Sequence, residues 1–331
     1  MDVEAEWGKS DLEVHLRLMG DWGITNLTSL CGWIATGMRW RTAKTSTFVI
    51  HTGRGYKDNV LSVAEGLVDM AVTTPIVTAA QALEGRGMFE RAYPDLRAIA
   101  ALPHRDRMVL AIAEDVAQRY GIRSFHDLRE KKPPLRIVTG LNDGINHIGF
   151  VAERILNAYG IEWGDIPKWG GKWIEFERPP KAPKLLVSGE ADAIFYEAIM
   201  TWHRFTDRRP MRFLSIDEPQ LQSLNKDYGY QAETIEAGEF FGLDRAVTTV
   251  DWSQWIVLVR GDMPDRVARL MAQVLIEDRD DFEVKYRHMP VMESPLHYPI
   301  RPEEVWKTMP VPLHPGAESY YKESGLLRGE V

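Results

Sequence analysis

Val14-His15-Leu16-Arg17-Leu18-Met19-Gly20, followed after a short loop by Gly23-Ile24-Thr25-Asn26, reads as a strand that ends at a glycine and a helix that opens just beyond it. Leu27, Leu30, Cys31, Ile34 and Met38 then recur at the spacing of one helix face. The arrangement returns later. Leu135–Thr139 is an apolar strand ending at Gly140, and Gly144-Ile145-Asn146-His147 opens a helix. Ile148, Val151, Ala152, Ile155 and Leu156 form its stripe, and Gly160 is the expected stop.

Each unit is followed by a second matching stretch. The first is Gly66-Leu67-Val68-Asp69-Met70-Ala71-Val72-Thr73-Thr74, the second Gly189-Glu190-Ala191-Asp192-Ala193-Ile194-Phe195-Tyr196-Glu197. Both read as a helix end, a Gly-x-x-Asp turn, a short apolar strand and polar residues at its C-terminal end. Strands alternating with helices imply βαβ units and a mainly parallel sheet. Because the pattern occurs twice, two similarly built α/β lobes are expected. The first is 1–103 plus 259–331 with a Pro- and aromatic-rich C-terminal strap from Met289, and the second is 104–258. The chain crosses between lobes after the strand Leu96–Leu102, at Pro103-His104-Arg105-Asp106, and returns after the strand Trp255–Val259, near Arg260-Gly261-Asp262. The helix Pro264–Leu275 then packs back on the first lobe.

The chain has 331 residues, which suits two domains better than one. It is 44% hydrophobic and 27% charged, with a net charge of −8. No Lys/Arg block stands out, which argues against nucleic acid, and no apolar run reaches the ~20 residues of a membrane span. Met1-Asp2-Val3-Glu4-Ala5-Glu6-Trp7 lacks the basic and apolar regions of an export signal. The expected location is therefore cytoplasmic as the sequence stands, and periplasmic if a signal has been removed. Cys31 is the single cysteine and falls on a helical stripe, so packing is expected rather than a reactive thiol.

Taken in order, these landmarks resemble the TAXI-type solute receptors associated with TRAP transporters. The carrying residues are Gly66–Thr74, Leu96–Ile112 and Ser124-Phe125-His126-Asp127-Leu128. They continue with Pro134–Gly140, Gly189–Ala193 and Leu313-His314-Pro315-Gly316-Ala317. The resemblance implies a two-lobed type II periplasmic-binding-protein-like fold with a ligand cleft between the lobes. It also implies a small-molecule ligand and, for an exported member, a membrane transporter as partner. Where that family carries a serine-rich glycine loop, this chain reads Gly140-Leu141-Asn142-Asp143-Gly144-Ile145-Asn146-His147.

Ligands of open α/β sheets bind beyond the carboxyl ends of the strands, where helix N-termini attract anions. Two such helix tips would suit a carboxylate. The candidate contacts in the first lobe are Asp21, Trp22, Thr25, Asn26, Thr52, Arg54, Thr73 and Thr74, with Arg105 in the crossing segment. In the second they are Thr139, Asn142, Asn146, His147, Tyr196 and Glu197, with Arg107 as a further clamp for an anion. Thr25, Asn26 and Asn146 read equally as helix caps, Asp21 and Asp143 as turn residues, and Trp22 as a stacking wall or packing. An enzyme on the same scaffold, a cytoplasmic decarboxylase or lyase of an aromatic or dicarboxylic acid, is the competing function. His147, Glu197 and His104 would then be the catalytic candidates. His51, His104, His147 and Glu197 would suit a divalent metal, although their spacing matches no local metal motif and no cofactor is predicted.

Overall fold

The computed structural model describes residues 10–21, 23, 26–177, 182–197, 202 and 205–327. The chain divides into two compact units, Met1–Arg105 with Ser253–Val331, and Asp106–Trp252. The first contains β1 (His15–Met19), α1 (Asn26–Trp40), β2 (Thr47–His51), α2 (Tyr56–Ala64), β3 (Met70–Thr73), α3 (Val77–Glu84) and β4 (Leu96–Leu102). The second contains β5 (Arg107–Ala113), α4 (Glu114–Tyr120), α5 (Phe125–Lys131), β6 (Arg136–Gly140), α6 (His147–Ala158) and α7 (Asp165–Lys168). It continues with β7 (Lys172–Phe176), α8 (Ala182–Ser188), β8 (Ala193–Glu197), β9 (Met211–Phe213), α9 (Glu218–Tyr228), β10 (Ala232–Ile235) and β11 (Val247–Asp251). The chain closes in the first unit with β12 (Trp255–Arg260), α10 (Asp265–Glu277), α11 (Arg279–Glu283) and α12 (Pro315–Glu323).

Both helical stripes read from the sequence are buried: Leu27, Leu30, Cys31, Ile34 and Met38 on α1, and Ile148, Val151, Ala152, Ile155 and Leu156 on α6. α10 also packs as expected, burying Val267, Leu270, Met271 and Val274 in the first unit's core. Burial, reinforced by the Asp21 charge, pushes the Cys31 thiol well up, which fits the packing role.

The sheets are mixed rather than mainly parallel. The first unit has the order β2-β1-β3-β12-β4, in which β1, β2 and β3 are parallel and β12 runs antiparallel between β3 and β4. The second has β10-β11-β5-β8-β6-β7, with β9 beside β5. There β6, β7 and β8 are parallel, while β5 opposes β8 and β11 opposes β5. The reason lies in the crossings. The chain re-enters the first unit at Ser253, at the carboxyl edge of its parallel strands, so the next strand has to run back down. β12 thus belongs to the first sheet, and the return crossing precedes it instead of following it. β5 enters the second unit at its carboxyl edge and is reversed for the same reason.

The repeated Gly-x-x-Asp stretch has a physical basis. Asp69 accepts hydrogen bonds from the backbone N–H of Arg17 at 2.8 Å and from its guanidinium at 2.8 and 3.1 Å, and the same guanidinium reaches the Gly66 carbonyl at 3.1 Å. Asp192 does the same to Arg136: 2.9 Å to the backbone N–H, 2.6 and 2.9 Å to the guanidinium, with the Gly189 carbonyl 2.8 Å away. Gly66 and Gly189 sit at φ of 75° and 76°, a left-handed turn that glycine adopts without strain. Each clasp joins the start of one strand to its parallel neighbour.

Burial raises the Asp192 carboxyl, but the hydrogen bonds and charge of Arg136 outweigh it and hold the group below its ordinary range. A depressed folded value means that its stabilisation is complete above the unfolded value, about 4, and is lost as pH falls through the folded one. Asp192→Ala is expected to cost about 1.5–3 kcal/mol at neutral pH, and the difference from wild type should shrink in urea titrations carried down toward pH 3. An undiminished difference at low pH would contradict the ionic part of the clasp.

Candidate functional site

The register fixes which residues share an edge in each unit. In the first, the carboxyl ends of β1 to β4 and the amino end of β12 bring together Gly20-Asp21, His51–Arg54, Thr73-Thr74, Pro103–Arg105 and Ser253-Gln254. In the second, the ends of β6, β7 and β8, the start of β5 and the end of β11 gather Thr139–Asn142, Tyr196-Glu197, Asp106-Arg107 and Asp251-Trp252.

Many of the expected contacts of the first unit are already engaged with the protein. Asp21 is 3% exposed and accepts from the Thr28 hydroxyl at 2.9 Å. Burial raises its carboxyl, while that hydroxyl and the backbone N–H groups of Thr28 and Leu27 oppose the rise. The start of α1 is therefore covered by a side chain of this chain, and the expectation of a vacant helix tip for an anion fails here. Asn26 accepts from the Tyr286 hydroxyl at 3.0 Å, and the buried Thr73 hydroxyl donates to the Tyr56 carbonyl at 3.2 Å. The Arg54 backbone N–H donates to Asp58 at 2.8 Å. His51 and Thr52 are exposed, and Arg105 is half-buried. Trp22 and Thr25 lie outside the described residues. Lys285 adds a cation that no sequence pattern marked: burial lowers its pKa, and Asp21 opposes the shift.

His104 belongs to the first unit. Its Nδ1 lies 2.5 Å from the Pro295 carbonyl oxygen, and its ring stacks on Trp255 with centroids 5.0 Å apart. The strap thus grips the crossing strand, which is the structural role for this histidine. Among the described residues no three His, Cys, Asp or Glu side chains are grouped so as to hold a metal ion.

The second unit holds the richer edge. Asn146 caps α6: its Oδ1 accepts from the Ile148 N–H at 3.1 Å and its Nδ2 donates to the Glu177 carbonyl at 3.1 Å. Asp143 closes the preceding turn on the N–H groups of Ile145 and Asn146, and the Asn142 N–H donates to Glu175. His147 is fully buried, hydrogen-bonds through Nε2 to the Tyr230 hydroxyl and lies 4.9 Å from Trp252 between ring centroids. Burial lowers its pKa to about 3, so at neutral pH it is an uncharged hydrogen-bonding group of low basicity. That state suits proton transfer poorly, since effective acids and bases lie near the working pH.

Arg107, considered above as an anion clamp, instead forms an ion pair with Glu239, both side chains being about 5% exposed or less. Asp106 beside it is fully buried; desolvation raises its pKa, Arg107 opposes and Asp251 adds to the rise. Thr139 and Tyr196 are 0% and 1% exposed, and neither hydroxyl has a hydrogen-bond partner among the described residues. Glu197 is buried next to Tyr196. Tyr230, Glu239 and Trp252 had no sequence signal: they come from the segment before β10, the β10–β11 connection and the residue after β11, far along the chain from α6 and β5.

The profile of the NMT1-like family matches residues 30–325. The chain belongs to the NMT1-like family. A structure from Bordetella bronchiseptica RB50 is 12% identical over 95% of this chain and 98% of that one, with a TM-score of 0.51. A Xanthomonas citri protein solved with ATP is 12% identical over 95% and 97% of the two chains, with a TM-score of 0.49. A TctC solute-binding protein from Polaromonas is 14% identical over 86% and 91%, with a TM-score of 0.46. At such identities likeness speaks for the fold alone. The fold class is the expected one in its two α/β units, each built on a sheet of its own. No helix among the described residues is long and apolar enough to cross a membrane.

Two outcomes are expected of this NMT1-like edge. Arg107→Met leaves the Glu239 carboxylate buried without its partner and should cost about 3–5 kcal/mol by urea unfolding, with Arg107→Met/Glu239→Leu recovering much of it. For His147, the folded value lies below the unfolded one near 6.5, so the unfolded chain binds the extra proton and stability drops as pH falls from there toward about 3. The slope from this group approaches about 1.4 kcal/mol per pH unit, and His147→Gln should flatten it in melting curves taken between pH 6 and 4. A variant as acid-sensitive as wild type would contradict the buried neutral imidazole.

Proposed function

We propose that this NMT1-like protein is a solute receptor of the TAXI kind, which takes a small organic acid at the carboxyl edge of its strands and hands it to a membrane transporter. The observation that carries the reading is the family match over residues 30–325 on a two-unit α/β fold. Its place of action is outside the cytoplasm when the protein is exported. The acid is favoured by the second unit, whose edge sets Tyr196 on the sheet face that the start of α6 covers, where the helix dipole favours negative charge. The rings of His147, Trp252 and Tyr230 beside it form an aromatic wall suited to an organic body.

A thermal-shift panel tests the reading: glutarate, glutamate, phthalate and benzoate against cadaverine, spermidine and glucose, each at millimolar concentration. A ligand at one hundred times its Kd adds about 2.7 kcal/mol, worth several degrees in melting temperature. At least one acid is expected to give such a rise, confirmed by calorimetry as one-to-one binding without consumption of the acid. Turnover of the acid, or no response to any solute, contradicts the receptor reading.

A further inference from the structure

We propose that β2 is an interaction strand through which two copies of this chain pair, antiparallel about a two-fold axis at Val49. The two sheets have four outer strands, β2 and β4 in the first unit and β7 and β10 in the second. An outer strand presents unpaired backbone groups, and soluble proteins cover it, shorten it or place charges on it. β4 is covered by the strap: the Ala98 N–H donates to the Pro312 carbonyl at 2.9 Å, the Ala98 carbonyl accepts from the His314 N–H at 2.9 Å, and the Ala101 N–H donates to the Val305 carbonyl at 2.7 Å. β7 carries the exposed Lys172 and Glu175, and β10 is four residues long with Glu233 among them. β2, Thr47-Phe48-Val49-Ile50-His51, has none of these devices. It contains no Asp, Glu, Lys, Arg or Pro, and its pairing with β1 runs without a bulge. Nothing pairs with its outer edge among the described residues, and Val49 and Ile50 are 51% and 38% exposed.

The register with β1 decides which groups face outward. The Thr47 N–H donates to the Val14 carbonyl, and the His51 carbonyl accepts from the Gly20 N–H. The N–H and C=O of one strand residue point to the same side, and the side alternates along the strand. Thr47, Val49 and His51 therefore face β1, while Phe48 and Ile50 face out. With a two-fold axis at Val49, Phe48 stands opposite Ile50 of the second copy, and Ile50 opposite its Phe48. Each of these pairs exchanges both backbone hydrogen bonds. Val49 meets its own counterpart as the non-hydrogen-bonded pair between them, and Thr47 meets His51, so the register opposes no like charges. The side chains match too. Phe48 and Ile50 share the face that α1 covers, where a Cβ at Gly32 would stand 3.9 Å from Ile50 Cδ1, and Val49 lies on the other face with its counterpart. An uncharged apolar strand that is its own complement in both hydrogen bonds and side chains suits a second copy, since a two-fold contact requires a self-matching patch.

The test is cysteine cross-linking of the full chain, alongside sedimentation over a range of concentrations. A non-hydrogen-bonded antiparallel pair brings its Cα atoms to about 4.5 Å, within the roughly 4.4–6.8 Å that a disulfide spans. Val49→Cys should therefore give a disulfide-linked dimer under mild oxidation. Thr47→Cys and Ile50→Cys should give little, because each stands opposite a different residue. Wild type, whose single cysteine is the buried Cys31, is the blank. Val49→Lys sets two ammonium groups opposite each other, and Ile50→Pro removes an outward N–H while leaving the bonds to β1 in place. Each should weaken self-association about tenfold or more, with the circular dichroism of the monomer that of wild type. A wild type that stays monomeric at every concentration overturns the inference. So does cross-linking spread evenly over positions 47, 49 and 50, which marks chance collision. A dimer that survives both Val49→Lys and Ile50→Pro lies on another surface and overturns it as well.

Discussion

One aspartate per unit sets the frame on which the rest depends. Asp69 and Asp192 each bind a neighbouring strand's backbone N–H and that strand's arginine, and the arginine closes back on the glycine that begins the turn. Geometry of this kind fixes register, because a slip of one residue would both break the backbone bond and turn the guanidinium to the other face. Both clasps lie at the amino edge of their sheets. The opposite edge, where the crossings and the polar strand ends lie, is thereby left to carry groups that do not have to hold the sheet together.

The two helix starts at those carboxyl edges are capped differently, and the difference has consequences. α1 is covered by a carboxylate, Asp21, which brings negative charge to the positive end of the helix. α6 is capped by an amide, Asn146, while the Asp143 carboxylate holds the N–H groups of Ile145 and Asn146 just ahead of it. Two lobes built on one plan therefore differ in electrostatic character. The first presents a buried acid with Lys285 and Tyr286 close enough to feel its charge; the second sets its carboxylate, Asp143, in an exposed turn.

What could be read from the sequence was local and periodic. The stripes of α1 and α6, the strand ends at Gly20 and Gly140 and the twin Gly-x-x-Asp turns are all signals within a dozen residues, and each found its place. The position of β12 was not legible. Trp255–Val259 is an apolar run like any buried strand, and nothing in it tells which sheet it joins or in which direction. That follows from where the chain re-enters, a property of the whole path. The candidate site was legible as a set of strand ends but not as chemistry. Thr73 and Asn146 stand where a ligand contact would, yet their polar atoms are used by Tyr56, Ile148 and Glu177. Glu239 and Tyr230 are more than eighty residues from the groups they meet, so no spacing rule could have found them.

The histidines show why residue type alone misled. An imidazole attracts an acid–base or metal reading because its ordinary pKa lies near neutrality. Burial withdraws that property from His147, whose surroundings are Tyr230, Trp252 and Phe150. His104 is committed to the Pro295 carbonyl and to Trp255, and buried His314 accepts the Gly316 N–H at the start of α12. Each serves as a flat, weakly polar group held by directed hydrogen bonds. Arg107 is likewise committed, to Glu239. A polar side chain at such an edge is therefore read from its burial and its partners, which decide its charge and its free hydrogen-bonding positions, and not from its residue type.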